Sequence, residues 1–370
     1  MYGVIDIGSN TIRLVVYEHK NGHIEQILNK KITAGLAGYI NKDHEMRKRG
    51  VQVAIDALRE LKNVTDRLTL EGIGVFATAP LRNINNTDEV VQQIQEATGF
   101  EIKVLSGNEE AEYGFAGMRG ESKLDEGLMI DIGGGSTEFV AFHGNKTLYS
   151  RSIPWGSLNL YREYVSNITP TEKEVREIYR VMKKHYEKAK LPEGCNTEIL
   201  CAEGGTARAV GKMIDSIAKE EVDSGRYNRK ILKKLLRDYL DNPKKMRERI
   251  LRVAPERIHT FVPGLVAMNV AADTFDVKEI VTVGFGVREG FLLKECTPVE
   301  EPKKAAKKTA KSAAKKKAEA TDKTEKTIKS EASTTKTVKD NADKSVKTAK
   351  TSAKKEATSK SAKTGGKKSC

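Results

Sequence analysis

Short apolar blocks with period-two alternation over residues 3–7, 11–18 and 22–29 predict three strands in succession. From about 46 to 68 the spacing changes to the three-and-four step of a helix, with Val51, Ile55, Leu58 and Leu61 on one face. A strand at 73–79, a helix near 87–98, a strand at 101–105 and a helix near 107–119 follow. The order then restarts, with strands at 127–132, 136–142 and 146–153. Thr171 and Glu174 have the spacing of a capping box and open a helix to about Lys190. A strand at 197–203 comes next, then a helix opening at Gly204-Gly205-Thr206 and a helical stretch over 218–274. A strand at 279–284 and a helix near 286–295 close the unit. Three strands, helix, strand, helix, strand, helix, made twice, predict an α/β fold with mixed sheets covered on both faces. A duplicated unit of this kind implies two lobes with a central cleft between them.

The duplication is sharpest at the start of each half. Residues 3–17 read GVIDIGSNTIRLVVY and residues 128–142 read LMIDIGGGSTEFVAF. In each, an apolar strand ends in Asp-Ile-Gly, turns through small and hydroxyl residues, and resumes as a strand. Successive backbone N–H groups in a tight turn form an anion-binding nest, and glycine admits close approach. Gly8, Ser9, Asn10 and Thr11 suit a first phosphate turn, and Gly133, Gly134, Gly135, Ser136 and Thr137 a second. Asp6 and Asp131 stand at the strand ends, where a carboxylate holds a hydrated Mg²⁺ beside phosphate, and Glu138 is within reach of the same ion. Each turn by itself reads equally well as an ordinary hairpin. Their repetition favours a clamp of two facing turns.

Between the turns lies LSGNEEAEYG, residues 105–114, where Glu109 and Glu110 fall in the first turn of a helix. Acidic residues are favourable there for electrostatic reasons alone. A chain that brings them beside bound phosphate also places a carboxylate where an attacking water needs a base.

Charge separates the chain into two materials. Residues 301–370 hold 22 lysines, no arginine, no aromatic residue and 8 acidic residues, a net +14, which is the net charge of the whole chain. The first 300 residues are balanced, with 43 basic and 43 acidic side chains. A Lys/Ala-rich segment of this kind cannot bury enough apolar area to offset its ordering entropy, so it is expected to be disordered and to attract polyanions. The expected division is therefore a lobe over 1–122, a second over 123–298 and a basic tail over 299–370. Four scattered cysteines and six dispersed histidines show no disulfide framework and no metal-ligand spacing. No signal-peptide pattern and no apolar run of membrane-spanning length are present, so a cytoplasmic location is expected.

Together, DIGSNTIRLVVYE, ATAPLR (77–82), LSGNEEAEYGF, DIGGGSTEFV and GFGVREG (284–290) resemble the exopolyphosphatase/guanosine pentaphosphate phosphatase (Ppx/GppA) family over residues 1 to about 296. The resemblance implies a duplicated ribonuclease-H-like fold, as in the actin-like ATPases, and a Mg²⁺-dependent hydrolase. It implies Glu110 as the base for water, Asp131 and Glu138 as residues placing metal and water, and the turns at 8–11 and 133–137 as phosphate loops. Arg82 would contact substrate phosphate, or else cap a strand–helix corner. Gly204-Gly205-Thr206 would lie beside the substrate channel, or else form a plain helix start, and Arg288-Glu289-Gly290 would be structural. The function so implied is exopolyphosphatase, with the 5′-phosphohydrolysis of pppGpp as the alternative. A kinase or a nucleotide switch of the same superfamily stands behind both. A homodimer is left open.

Overall fold

In the first half of the chain, β1 (Tyr2–Ile7), β2 (Thr11–Lys20) and β3 (His23–Thr33) form an antiparallel meander. The helix α1 (Lys48–Thr65) leads to β4 (Gly72–Ala77), then α2 (Ala79–Arg82), α3 (Thr87–Thr98), β5 (Ile102–Val104) and α4 (Gly107–Glu121). The computed structural model describes residues 1–20, 23–217 and 225–297; the expected tail lies outside the described residues. Strands β4 and β5 run parallel to β1, and the sheet order is β3-β2-β1-β4-β5.

The second half repeats this plan. Strands β6 (Glu126–Ile132), β7 (Thr137–His143) and β8 (Lys146–Ile153) form the meander, followed by α5 (Ser157–Tyr164) and α6 (Glu172–Glu187). Then come β9 (Ile199–Glu203), α7 (Gly204–Ile217), β10 (Arg226–Asn228), α8 (Lys230–Asp241), α9 (Pro243–Val253), α10 (Phe261–Thr274), β11 (Glu279–Thr282) and α11 (Val287–Phe291). The order β10-β11-β9-β6-β7-β8 is that of the first sheet with one added edge strand.

Two departures from the sequence expectation concern 218–274. Residues 226–228 are a strand antiparallel to β11, with Tyr227 buried; three residues are too few to show a period. Among the described residues the rest holds three α-helices and a short 3-10 turn at Pro255–Arg257. Asn242 accepts from the Lys245 amide and Pro243 takes the first position of α9, which forces a break after α8. The short α5 is likewise missing from the expected order, since eight residues give barely two turns of pattern.

The core follows the periodicity. Val51, Ile55, Leu58 and Leu61 of α1 are buried against the first sheet with Ala54 and Ala57. Helix α10 is buried on every side, which fits its nearly unbroken apolar sequence. Every strand before residue 122 lies in the first sheet and every strand after it in the second. The helices cross over: Phe115 and Met118 of α4 pack with Met129, Val140 and Phe142 of the second sheet. Phe291 and Leu292, at the end of α11, pack with Val4, Val15 and Phe76 of the first. Where α4 and α11 meet, a Cβ at Gly117 would lie 2.0 Å from the Gly286 carbonyl oxygen, and one at Gly290 1.8 Å from that of Tyr113. Only glycine permits that approach.

Candidate active site

Both Asp-led turns are hairpins closed in the same way. The Gly8 amide donates to the Thr11 carbonyl at 3.0 Å and the Gly133 amide to the Ser136 carbonyl at 3.0 Å. The residues expected to form the phosphate turns are thus the loops of the two hairpins. Carbonyls of Gly133, Gly134 and Gly135 accept from Ser157, Leu158 and Asn159 of α5, and those of Ser9 and Asn10 accept from residues 34–37. In a trans peptide the C=O and N–H point in opposite directions. The following amides therefore face away from those partners, as an anion nest requires.

The two turns meet across a cleft. A Cβ at Gly134 would lie 3.3 Å from the Ser9 Cβ, and one at Gly135 would lie 2.7 Å from the Ser9 Oγ and 2.9 Å from the Ala79 Cβ. Asp6, Gly8–Thr11, Asp131, Gly133–Ser136 and Glu110 all line this cleft, as do Gly204 and Gly205. Three of the expected residues stand behind its wall. Thr137 is fully buried and donates to the Trp155 carbonyl. The reason is register: the closed hairpins align Thr11 with Ser136, so Thr137 takes the place of buried Ile12. Arg82 donates from Nη1 to Glu110 Oε2 at 2.6 Å and to the Leu105 carbonyl at 3.0 Å, while its Nη2 is 3.4 Å from Ser136 Oγ. Glu138 is buried and accepts from Ser152 Oγ at 2.7 Å.

The neighbouring acids of α4 have separate tasks. Ser106 caps the helix and Glu109 reaches back to the Ser106 amide, completing a capping box. Glu110 is buried instead, on the cleft side. Burial pushes its pKa up to about 7, against the pull of Arg82. Burial likewise raises the pKa of Asp6, which Arg288 and Arg13 oppose, and that of Asp131, which Arg208 opposes. Glu138 is pushed well above the usual carboxylate range by burial and by Glu110 and Asp131.

Equivalent strand positions carry opposite charge in the two halves. Asp131 is paired with Glu138 on β7 and Glu203 on β9, whereas Asp6 is paired with Arg13 on β2 and Phe76 on β4. Arg288 Nη1 lies 3.3 Å from Asp6 Oδ2, so this residue, expected to be structural, also belongs to the cleft. Arg13, Arg208 and Arg257 line the same region. Motif and spacing do not single these arginines out. The one signal in the sequence is that Arg13 stands seven residues after Asp6, as Glu138 does after Asp131.

The carboxylates suit a hard divalent cation. Asp131 Oδ1 and Glu138 Oε2 are buried without a hydrogen-bond partner. Among the described residues no three such side chains are spaced to enclose an ion. That pattern matches Mg²⁺, which keeps several waters and uses one or two carboxylates together with substrate phosphate. No helix of the described residues is long and apolar enough to cross a membrane.

Comparison with known proteins is consistent with this geometry. The model of the Ppx/GppA phosphatase family matches residues 15–299. "Exopolyphosphatase 1" of Mycobacterium tuberculosis (strain H37Rv) is 25% identical over 305 residues, covering 79% of this chain and 87% of that protein. The crystal structure of the Aquifex aeolicus member of the Ppx/GppA family superposes with a TM-score of 0.67 at 24% identity, over 79% of this chain and 95% of that one. That of an exopolyphosphatase from Cytophaga hutchinsonii gives 0.69 at 21% identity, over 79% and 96%. Likeness at that identity speaks to the fold alone, which is the two-lobed, actin-like α/β architecture.

Proposed function

The chain belongs to the Ppx/GppA phosphatase family and is a phosphoanhydride hydrolase, and we propose that it releases the terminal phosphate of inorganic polyphosphate. The observation that carries this reading is the meeting of the two glycine turns across a cleft that Glu110 also lines. Backbone amides of both turns, with Ser9 and Ser136, hold the terminal phosphoryl group. Water attacks phosphorus and passes its proton to Glu110, while the bridging P–O bond breaks and its electron pair leaves on the shortened chain. The arginines 13, 208, 257 and 288 neutralise that chain and the oxygen that departs. Mg²⁺, held by Asp131 and Glu138 with Asp6 on the facing turn, would supply Lewis-acid charge neutralisation at the phosphate oxygens. Arg82 acts on Glu110: it fixes the carboxylate and limits the rise that burial alone would impose.

The direct test compares phosphate release from long polyphosphate, pppGpp and ATP, with and without Mg²⁺ and with no acceptor present. Turnover of polyphosphate to inorganic phosphate is the expected result; no release in that assay, followed by Mg²⁺-dependent transfer once an acceptor is added, would convert the reading to a kinase. One observation favours pppGpp as a second substrate. The rings of Tyr161 of α5 and His259 lie with centroids 4.9 Å apart and planes tilted by 36°. They follow, on their segments, the cleft residues Leu158 and Arg257, and they supply two aromatic rings for contact with a nucleobase.

The pH dependence has a definite sign. Glu110 accepts a proton only when ionised, so activity is lost as pH falls through its pKa of about 7. We expect kcat/KM to rise roughly tenfold per pH unit on the acid side and to level off above neutrality. Arg82→Gln removes the group opposing burial and should move the inflection to higher pH. A wild-type acid limb centred near the ordinary glutamate value would remove Glu110 as the titrating base.

A further inference from the structure

Glu203, the last residue of β9, is fully buried, and neither carboxylate oxygen has a hydrogen-bond partner. A buried carboxylate left without a partner is costly when charged. Its place is specific. Parallel pairing of β9 with β6 sets Glu203 beside Asp131, and β7 brings Glu138 to the other side. Paired residues on adjacent strands share a face. Asp131 and Glu138 each have one partnerless buried oxygen as well, so four such oxygens belong to three consecutive strands of one sheet. The fold makes room for the side chain: a Cβ at Gly114 would lie 2.3 Å from Glu203 Oε1, and one at Gly286 would lie 3.2 Å from Oε2. Asp131, Glu289 and Glu138 repel its charge, and Arg208 attracts it while donating to the Gly284 carbonyl.

We propose that Glu203 is a third carboxylate of the divalent-cation site, acting from behind Asp131 by adding charge and accepting hydrogen bonds from the ion's water ligands. The inference rests on the reading that Asp131 and Glu138 hold the ion. Among the described residues no three acids are placed to bind an ion together, so the role assigned to Glu203 is through the ion's water and not direct ligation. Outer carboxylates of this kind change metal affinity by about 10- to 100-fold.

The test is a titration of the full chain with Mn²⁺, read by the electron paramagnetic resonance signal of the free ion. Thermal unfolding without metal is recorded for each variant. Glu203→Gln, which keeps the shape, should raise the Mn²⁺ Kd about tenfold or more with no loss of melting temperature. Glu203→Asp, which keeps the charge, should stay closer to wild type. A Kd for Glu203→Gln within about twofold of wild type, with Glu138→Gln clearly weakened, overturns the role of Glu203 and leaves the ion site standing. Equal losses in the Asp and Gln variants also overturn it, because charge would then not be the cause. If Glu138→Gln binds Mn²⁺ like wild type, the ion is not held where the parent reading puts it, and both fall.

Discussion

Glu110→Gln is expected to lower phosphate release from polyphosphate by about 10²- to 10⁴-fold, the usual contribution of a positioned base, while polyphosphate binding stays within a few-fold of wild type. The amide keeps the shape of the side chain and removes only its ability to take a proton. Arg82 loses one charged partner but retains the Leu105 carbonyl and Ser136 Oγ, so the wall of the cleft remains braced. The anion-binding parts, the two turns and the arginines, are untouched. Single-turnover phosphate release measured beside equilibrium binding of polyphosphate separates the two effects. Wild-type turnover in this variant would exclude Glu110 as the base, and equal losses in both would make it a structural residue.

Gly135→Ala should place a damaging methyl group where the two turns meet. The added Cβ would sit 2.7 Å from Ser9 Oγ and 2.9 Å from the Ala79 Cβ. Ala79 opens α2 and cannot swing aside, so the turns must part by several tenths of an ångström. A reacting group misplaced by about 1 Å costs about 10²-fold in rate, so a drop in kcat/KM of about 10-fold, and at most about 10²-fold, is expected. Gly38→Ala is the control, since nothing lies within 4 Å of a Cβ there. Denaturant midpoints for both variants show whether the fold survived. An unchanged kcat/KM for Gly135→Ala would mean that the turns do not grip one group between them.

Much of this arrangement is legible in the sequence. The paired Asp-Ile-Gly turns, the α1 stripe, the capping box at Thr171 and the α/β order are all set by contacts a few residues apart, so periodicity and spacing report them. Family membership and fold class, both expected from the motifs, are borne out. Sequence and structure part where the local signal is weak. Aligning the two threonines groups Thr137 with the phosphate turn, whereas hairpin register aligns Thr11 with Ser136. Position in a helix does not tell Glu109 from Glu110; burial separates them.

By itself the sequence determined that an Asp-Ile-Gly turn is made twice, because a turn is a local object whose glycines and hydroxyls are contiguous. Only the tertiary structure decided what surrounds each copy. Strand pairing sets Arg13 beside Asp6 but Glu138 and Glu203 beside Asp131, and the crossing of α4 with α11 carries Arg288 across to the first sheet. The strand neighbours of the leading aspartate thereby include an arginine in one half and two glutamates in the other. The seven-residue step from Asp6 to Arg13 and from Asp131 to Glu138 is visible in the sequence, but Glu203 and Arg288 are distant in the chain from the residues they meet, and one-dimensional spacing carries no record of such neighbours.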